Sequence, residues 1–352
     1  MALCVLSAAP ALAITDPFEP DHIALGPDGN IYALISGNDS TVNHIFVFAP
    51  DGRLLRTIEG RADMIAFDAS GNLYASDFRD GFVRKMDTSG SIKGMYDYRA
   101  KTDIAAVGMG VGPDGKLYVS KFYIPPQYNT SIVPAFIGSR IVILSENGTE
   151  QLVYADNDTN NPVGAGIMAV DTNGMIYAIS TANSFKIITP DGTATAVGHY
   201  SSNDGGFNTI TGLSLGKDGY LYVSEYGNHR VQKLTTDGTF VMKWDGAGAD
   251  RFLYPWGAAV DANGKVYVAD PYNERIVWLT PEYTFGENTT DNLKGQGITW
   301  GNVYQGTNYT GRLQEAINEE KATSTPGFSL LISVTGFFLL GTILCLWRGI
   351  RR

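Results

Sequence analysis

Short apolar runs alternate with polar residues along most of the chain, and glycine-containing turns separate them. Leu213–Leu215, for example, is followed by a turn that ends at Gly219 and then by Leu221–Val223. Alternation over such short runs predicts half-buried β-strands, because successive side chains of a strand point to opposite faces. We therefore expect an all-β fold between the two apolar ends of the chain.

The same unit recurs six times: an apolar strand, a turn ending in glycine, and a strand with a central tyrosine. The turn glycines are Gly29, Gly71, Gly115, Gly174, Gly219 and Gly264, separated by 42, 44, 59, 45 and 45 residues. In most units a second hairpin follows, with its turn glycine at Gly52, Gly90, Gly148, Gly192 or Gly238. Four strands at this period are typical of a β-propeller blade. The pattern predicts a six-bladed ring.

The middle residue of each first strand is small. These residues are Ala24, Ala66, Gly110, Ala169, Ser214 and Ala259. Strands that converge on a common axis leave no room there for large side chains. We therefore place the first strand of every unit innermost in the ring.

Units five and six share an Asn-x-Arg signature, in Gly227–Val231 and Tyr272–Ile276. With the linker Gly246–Gly257 between them, they resemble the NHL repeat. The resemblance implies an NHL-like six-bladed β-propeller over residues 14–285. Units one to four keep the hairpins but lack the signature. Unit six lacks one strand, and the usual closure of the family favours Ile14–Phe18 over Gly297–Tyr304 to supply it.

Both ends of the chain are apolar. Residues 1–13 end in a small-x-small pattern and predict a signal peptide. The signal would be truncated at its start, because no Lys or Arg precedes Arg53, and the alternative is a buried strand. The 19 uncharged residues Ser329–Trp347 are followed by Arg348, Arg351 and Arg352, which predicts a transmembrane helix with a cytoplasmic tip. The alternative is a buried core helix. Residues 286–325 are then a polar stalk.

The tripeptide Pro326, Gly327 and Phe328 precedes the C-terminal apolar run. Together with the basic tip, residues 326–352 resemble the archaeal PGF-CTERM sorting signal. The resemblance implies an archaeosortase as partner and exchange of the helix for a lipid, whereas the alternative is a retained membrane anchor. With either a lipid or a retained helix as anchor, we expect an exported protein at the cell surface, anchored to the membrane at its C-terminus.

The formal net charge of −10 disfavours nucleic acid as a partner, because phosphate binding needs clustered basic residues. Glycosylation of an exported chain is indicated by Asn-x-Ser/Thr sequons. The candidate sites are Asn38, Asn129, Asn147, Asn157, Asn288 and Asn308.

Two aromatic segments are candidate contact surfaces. Unit three carries an insertion between Ser120 and Arg140, with Phe122, Tyr123, Tyr128 and Phe136 stiffened by prolines. The linker before unit six contributes Arg251, Tyr254 and Trp256. Exposed aromatic residues are typical of recognition sites. In both segments the alternative is that the rings pack against their own blade.

A metal site is the remaining chemical candidate, since six-bladed relatives of NHL proteins include metal-dependent lactonases and lyases. Residues at the starts of the inner strands would face the channel, and Asp21 and Asp63, with His22 nearby, are potential ligands of a divalent cation such as calcium. Val107, Gly166 and Trp256 on the other blades leave the ligand set incomplete. We assign no catalytic residue and expect no other cofactor.

The sequence thus favours a surface-anchored NHL-type propeller that binds an extracellular protein or glycan and does not catalyse a reaction. The alternatives are a metal-dependent lyase or hydrolase that uses Asp21, His22 and Asp63, and a structural component of the cell envelope.

Overall fold

The computed structural model describes residues 19–36, 44–77, 80–98, 103–123, 138–156, 163, 166–245, 251–280 and 299–305. These ranges contain 24 strands, β1 to β24, and one short 3-10 helix at Pro271–Asn273. The segments for which we predict a signal peptide, a sorting signal and a membrane helix lie outside the described residues. Within the described ranges, no helix is long and apolar enough to cross a membrane.

The strands form six four-stranded antiparallel units in chain order, which we call blades one to six, and a short parallel pairing joins the first strands of blades three and four. Blade one contains β1 (Glu19–Leu25), β2 (Ile31–Ser36), β3 (His44–Phe48) and β4 (Leu54–Ile58). Blade two contains β5 (Met64–Phe67), β6 (Leu73–Asp77), β7 (Phe82–Met86) and β8 (Ile92–Asp97). Blade three contains β9 (Asp103–Val111), β10 (Leu117–Tyr123), β11 (Gly138–Leu144) and β12 (Glu150–Asp156).

The second half of the ring repeats this arrangement. Blade four contains β13 (Gly166–Val170), β14 (Ile176–Thr181), β15 (Ser184–Ile188) and β16 (Ala194–Val197). Blade five contains β17 (Ile210–Leu215), β18 (Leu221–Glu225), β19 (Arg230–Leu234) and β20 (Phe240–Trp244). Blade six contains β21 (Gly257–Val260), β22 (Val266–Asp270), β23 (Arg275–Thr280) and β24 (Thr299–Gln305). The prediction of an all-β propeller is confirmed.

The ring closes through its inner strands and its cores. The first strands of neighbouring blades contact one another in the cyclic order β1, β5, β9, β13, β17, β21 and back to β1. An apolar core fills the space between each pair of neighbouring blades. The core between blades six and one joins Ile23 and Ile31 to Ala259 and Tyr267. Each blade therefore buries both faces of its sheet.

The recurring tyrosine of the sequence pattern anchors the turn that precedes it. Tyr32 and Tyr222 are fully buried, and their hydroxyl groups donate to the turn residues Asp28 (3.0 Å) and Asp218 (2.7 Å). The turn glycine that follows each of these aspartates has a positive φ, as at Gly29 (76°), which favours glycine over other residues. The repeat is thus a hydrogen-bonded hairpin unit as well as an apolar pattern.

The last blade is closed by the C-terminal strand. β24 pairs with β23 in an antiparallel register that runs from Thr280↔Thr299 to Arg275↔Gln305. The prediction that Ile14–Phe18 supplies this strand is therefore wrong, and Gly297–Tyr304, the other candidate, contains most of β24. The closing strand also lies inside the segment 286–325 for which we predicted a polar stalk. Pairing removes the open edge that β23 would otherwise expose.

The two faces of the ring differ in their connections. Tight glycine turns join the first strand to the second in every blade, and the third to the fourth in blades one to five. We call the face that carries them the lower face. The upper face carries the loops between second and third strands and the linkers between blades. These upper connections are the irregular parts of the sequence. The metal and aromatic candidates that the structure describes belong to the upper face or to strand ends beside it: Asp21, His22, Asp63, Phe122, Arg251, Tyr254 and Trp256.

Candidate functional site

A buried polar network fixes the upper loops of blade five. The side chain of Glu225 is fully buried and accepts hydrogen bonds from Arg230 Nε (2.6 Å), Gln232 Nε2 (2.7 Å) and Asn228 Nδ2 (2.6 Å). Arg230 also donates to the backbone carbonyls of Ser202, Asn203 and Gly206, each at 2.9 Å. The guanidinium therefore ties the linker before blade five to the blade itself.

Blade six repeats this network with an aspartate. Asp270 accepts hydrogen bonds from Arg275 Nε (2.8 Å), Asn273 Nδ2 (2.6 Å) and the backbone nitrogen of Leu253 (2.8 Å). Burial raises the pKa of Asp270, while Arg275, Asn273 and Leu253 oppose that rise. Asn273 and Arg275 also donate to the carbonyl oxygen of Arg251. The Asn-x-Arg signature thus pins each upper linker to its blade.

Four half-buried aromatic residues meet above these networks, between blades five and six, and we call them the aromatic cluster: Tyr226, Tyr254, Trp256 and Tyr272. The rings of Tyr226 and Tyr254 stack at 4.2 Å between centroids, and Tyr272 meets Tyr254 edge-on at 4.7 Å. The Trp256 ring stands at 88° to Tyr226, with centroids 6.1 Å apart. The cluster is therefore one continuous aromatic surface.

The backbone beneath the cluster is held in an unusual conformation. Tyr254 and His229 have φ values of 56° and 53°, a region that bulky residues rarely adopt. The backbone nitrogen of Tyr254 donates to Nδ1 of His229 (3.2 Å), and their rings lie 4.4 Å apart. His229 is itself buried. Non-glycine residues in this region are enriched at ligand-binding sites, where surrounding contacts hold them in place.

The structure brings part of the predicted aromatic set together. Tyr254 and Trp256 belong to the cluster, and Arg251 lies exposed in the same linker. Phe122 is 1% exposed and packs inside blade three, so it does not offer a contact surface. Tyr123 ends β10, and its side chain lies outside the described part of the chain, as do Tyr128 and Phe136.

Sequence reasoning missed three members of this site: Tyr226, Tyr272 and His229. Tyr226 directly follows the second strand of blade five, and Tyr272 follows that of blade six by two positions. A signal was present, because both residues lie within the Asn-x-Arg loops. Their position in the sequence could not reveal the site by itself, because the loops of blades five and six come together only in the folded ring.

The metal candidates do not form a ligand set in the described residues. Arg61 lies between two carboxylates, with Nη2 3.6 Å from Asp63 and Nε 3.3 Å from Asp77. A guanidinium in this position already neutralises the charge that a cation would need. Across the described ranges, no three His, Cys, Asp or Glu residues are grouped closely enough to hold a metal. Asp21 and His22 lie on β1, at the start of an inner strand.

One predicted glycosylation site lies in the described residues. Asn147 is exposed on the lower face, in the turn in which Gly148 N donates to Ser145 O (3.0 Å). Its side-chain oxygen accepts from Thr149 N (3.0 Å), so the whole Asn-Gly-Thr sequon is at the surface. The other five candidates, Asn38, Asn129, Asn157, Asn288 and Asn308, fall outside the described residues.

The polar network of blade six lies within the part of the chain that matches a known family. Residues 252–279 match the NHL repeat. No protein with a curated description matches the chain in sequence. The NHL repeat of blade six contains Asp270, Asn273 and Arg275, and blade five reproduces the same network with Glu225 in place of the aspartate.

Solved structures share the propeller fold at low identity. A catalytically inactive virginiamycin B lyase from Staphylococcus aureus, solved with quinupristin, is 16% identical, with a TM-score of 0.52 over 83% of this chain and 94% of that one. A streptogramin B lyase gives the same identity and TM-score over 83% and 85%. A protein of unknown function from Bacteroides thetaiotaomicron is 14% identical, with a TM-score of 0.50 over 73% and 68%. At these identities the similarity shows the fold alone.

Blades three and four carry lysine ion pairs instead of the arginine network. In blade three, Lys121 is fully buried and pairs with Glu150, which also accepts from Arg140 Nη2 (3.1 Å). In blade four, Lys186 pairs with Asp156. These ion pairs join strands of neighbouring or the same blade. The arginine-pinned linkers and the aromatic cluster therefore occur together at blades five and six.

His22 makes the stability of the ring depend on pH. Its Nδ1 is buried without a hydrogen-bond partner among the described residues, and burial lowers the pKa of His22 to about 4. The unfolded chain, with a pKa near 6.5, binds the proton first as the pH falls. This contribution to stability is therefore complete above pH 6.5 and is lost between about pH 6.5 and about pH 4.

The free energy of unfolding should fall as the pH drops from about 6.5 to about 4. We expect this fall to be smaller by roughly 2 kcal/mol in His22→Gln. Urea unfolding of the full chain at several pH values measures it. His199→Gln is the matched control, because His199 is exposed in the linker before blade five. Identical pH profiles for wild type and His22→Gln would show that the imidazole of His22 does not contribute.

Proposed function

We propose that this propeller is a binding module that recognises an extracellular ligand through the aromatic cluster and performs no chemistry. The observation that carries the proposal is the continuous surface of Tyr226, Tyr254, Trp256 and Tyr272 on the upper face. Partly exposed aromatic residues on a rigid scaffold supply large contact area at low entropic cost, which is why they dominate binding hot spots.

The same proposal includes the cellular setting predicted from the sequence. The chain is exported, glycosylated at sequons such as Asn147, and anchored at the cell surface by its C-terminal segment. An archaeosortase processes residues 326–352 and exchanges them for a lipid. The upper face would then be available to partners outside the cell, while the acidic composition disfavours nucleic acid.

Truncation of one cluster residue tests the proposal. We expect Trp256→Ala to weaken binding of the full chain to envelope preparations of the cells that express it by roughly tenfold or more. Tyr220→Ala is the matched control, since Tyr220 is a half-buried aromatic residue on the lower face, against Lys233. Equal binding by wild type and Trp256→Ala, with unchanged thermal unfolding, would refute the proposal.

A metal-dependent lyase or hydrolase is the second candidate. The buried Nδ1 of His22 favours it, because an unprotonated imidazole nitrogen is a metal ligand. Against it stands Arg61, which already pairs with Asp63. Titration of the full chain with Zn²⁺ or Ca²⁺ separates the two hypotheses. Tight binding that is lost in His22→Ala and Asp63→Ala would favour the enzyme, whereas binding unaffected by both variants would exclude these residues as ligands.

A further inference from the structure

We propose that the aromatic cluster binds a neutral glycan, with a pyranose ring stacked on Trp256 in the corner that Trp256 forms with Tyr226. This inference rests on the proposed binding function and names its ligand class. It depends on three features of the described residues: the arrangement of the rings, the charge balance beneath them, and the rigidity of the linker.

The ring arrangement provides a flat surface with one wall. Trp256 and Tyr226 are nearly perpendicular, at 88°, so a planar ligand on one ring meets the other at its edge. The remaining rings fill the space behind this corner, because Tyr226 stacks on Tyr254 at 4.2 Å. An aromatic cage for a quaternary ammonium group needs rings set apart around the cation. Centroids this close leave no such space, whereas the apolar face of a sugar ring needs only one partly exposed indole face, and Trp256 is half-buried.

Two buried ion pairs lie beneath the cluster. Glu225 is matched by Arg230 at 2.6 Å, and Asp270 is matched by Arg275 at 2.8 Å. All four side chains are buried, and each takes part in several hydrogen bonds. A strongly charged ligand is held by an opposite charge that is left available for it. These two networks therefore supply no charge to a ligand above them, which suits an uncharged ligand.

The linker that carries Trp256 is held rigid before any ligand arrives. His229 accepts the backbone N–H of Tyr254, and the carbonyl oxygen of Arg251 accepts from Asn273 and Arg275. Thr211 Oγ1 donates to the carbonyl oxygen of Pro255 (2.8 Å). Stacking on a sugar provides little energy per contact. Binding is therefore stronger when the surface is already ordered and loses little conformational entropy on binding.

Binding of immobilised oligosaccharides tests the inference. The purified full chain is applied to neutral oligosaccharides of glucose, mannose, galactose and N-acetylglucosamine, to sialylated and sulfated ones, and to a random peptide library. We expect binding to a subset of the neutral glycans, quenching or shifting of tryptophan fluorescence, and a loss of affinity of roughly tenfold or more in Trp256→Ala. Trp256→Phe, which keeps a stacking face, should retain most of the affinity, and Tyr220→Ala should retain all of it.

The outcomes separate this inference from the proposed function. Binding restricted to anionic glycans, or to peptides, that is lost in Trp256→Ala would overturn the neutral-glycan inference and leave the binding module intact. Glycan binding that is unchanged in Trp256→Ala would overturn the inference by placing the site elsewhere. Failure of all probes, together with unchanged envelope binding by Trp256→Ala, would overturn both. Matching thermal unfolding curves for wild type and Trp256→Ala ensure that a loss of binding reports on the site.

Discussion

Arg230→Ala is expected to lower the free energy of unfolding by about 3–5 kcal/mol, the cost of leaving a buried carboxylate without its partner. The Arg230 side chain is 4% exposed and pairs with the fully buried Glu225. The substitution also leaves the carbonyl oxygens of Ser202, Asn203 and Gly206 without this donor. Urea unfolding of the full chain measures the loss.

Two further variants separate this ion pair from general effects of losing charge. Lys217→Ala removes a positive charge from an exposed position in the same blade, and we expect no measurable change. Arg230→Lys keeps the charge but not the fork of donors, so it should be intermediate between wild type and Arg230→Ala. A loss below about 1 kcal/mol in Arg230→Ala would mean that the network does not hold the linker as described.

The second large effect is expected at Gly110, in the innermost strand of blade three. A Cβ atom at this position would lie 2.6 Å from the carbonyl oxygen of Met168, on the neighbouring inner strand. Because the obstacle is backbone, relief requires a shift of one inner strand against the next. We expect Gly110→Ala to destabilise the protein by about 1–3 kcal/mol, a typical overpacking cost, in urea unfolding.

Gly257→Ala provides the matched control for this prediction. Gly257 also lies in an inner strand, but its Cβ would be 3.5 Å from the nearest atom, an ordinary contact distance. This variant should change the free energy of unfolding by less than about 0.5 kcal/mol. If both variants were equally stable, the close approach of the inner strands would not be a determinant of the ring.

The repeat could be predicted from sequence because its determinants are local. Each tight turn is encoded by a glycine such as Gly29 and by the tyrosine that follows it, both within one hairpin. Small residues at positions such as Gly110 predicted the inner strands correctly, because these strands pack closely. The structure specifies the partner as the neighbouring inner strand, here Met168, which a single repeat does not contain.

Closure and the site could not be predicted in the same way, because both depend on contacts between distant residues. The edge of β23 can pair with a strand from either end of the chain, and no local pattern in Thr299–Gln305 distinguishes it from a linker. Likewise, Tyr226 and Trp256 belong to different repeats and meet only after the ring has closed. Phe122 shows the converse case, an aromatic residue of the insertion that blade three buries.

The central claim is that the upper aromatic cluster is the surface that meets the ligand. Hydroxyl-radical footprinting of the full chain, free and bound to envelope material, tests it most directly by reporting side-chain protection. The account predicts protection of Tyr254, Trp256 and Tyr272, with Tyr220 on the lower face equally reactive in both states. Protection confined to the lower face, or none at Trp256 when the chain is bound, would contradict it.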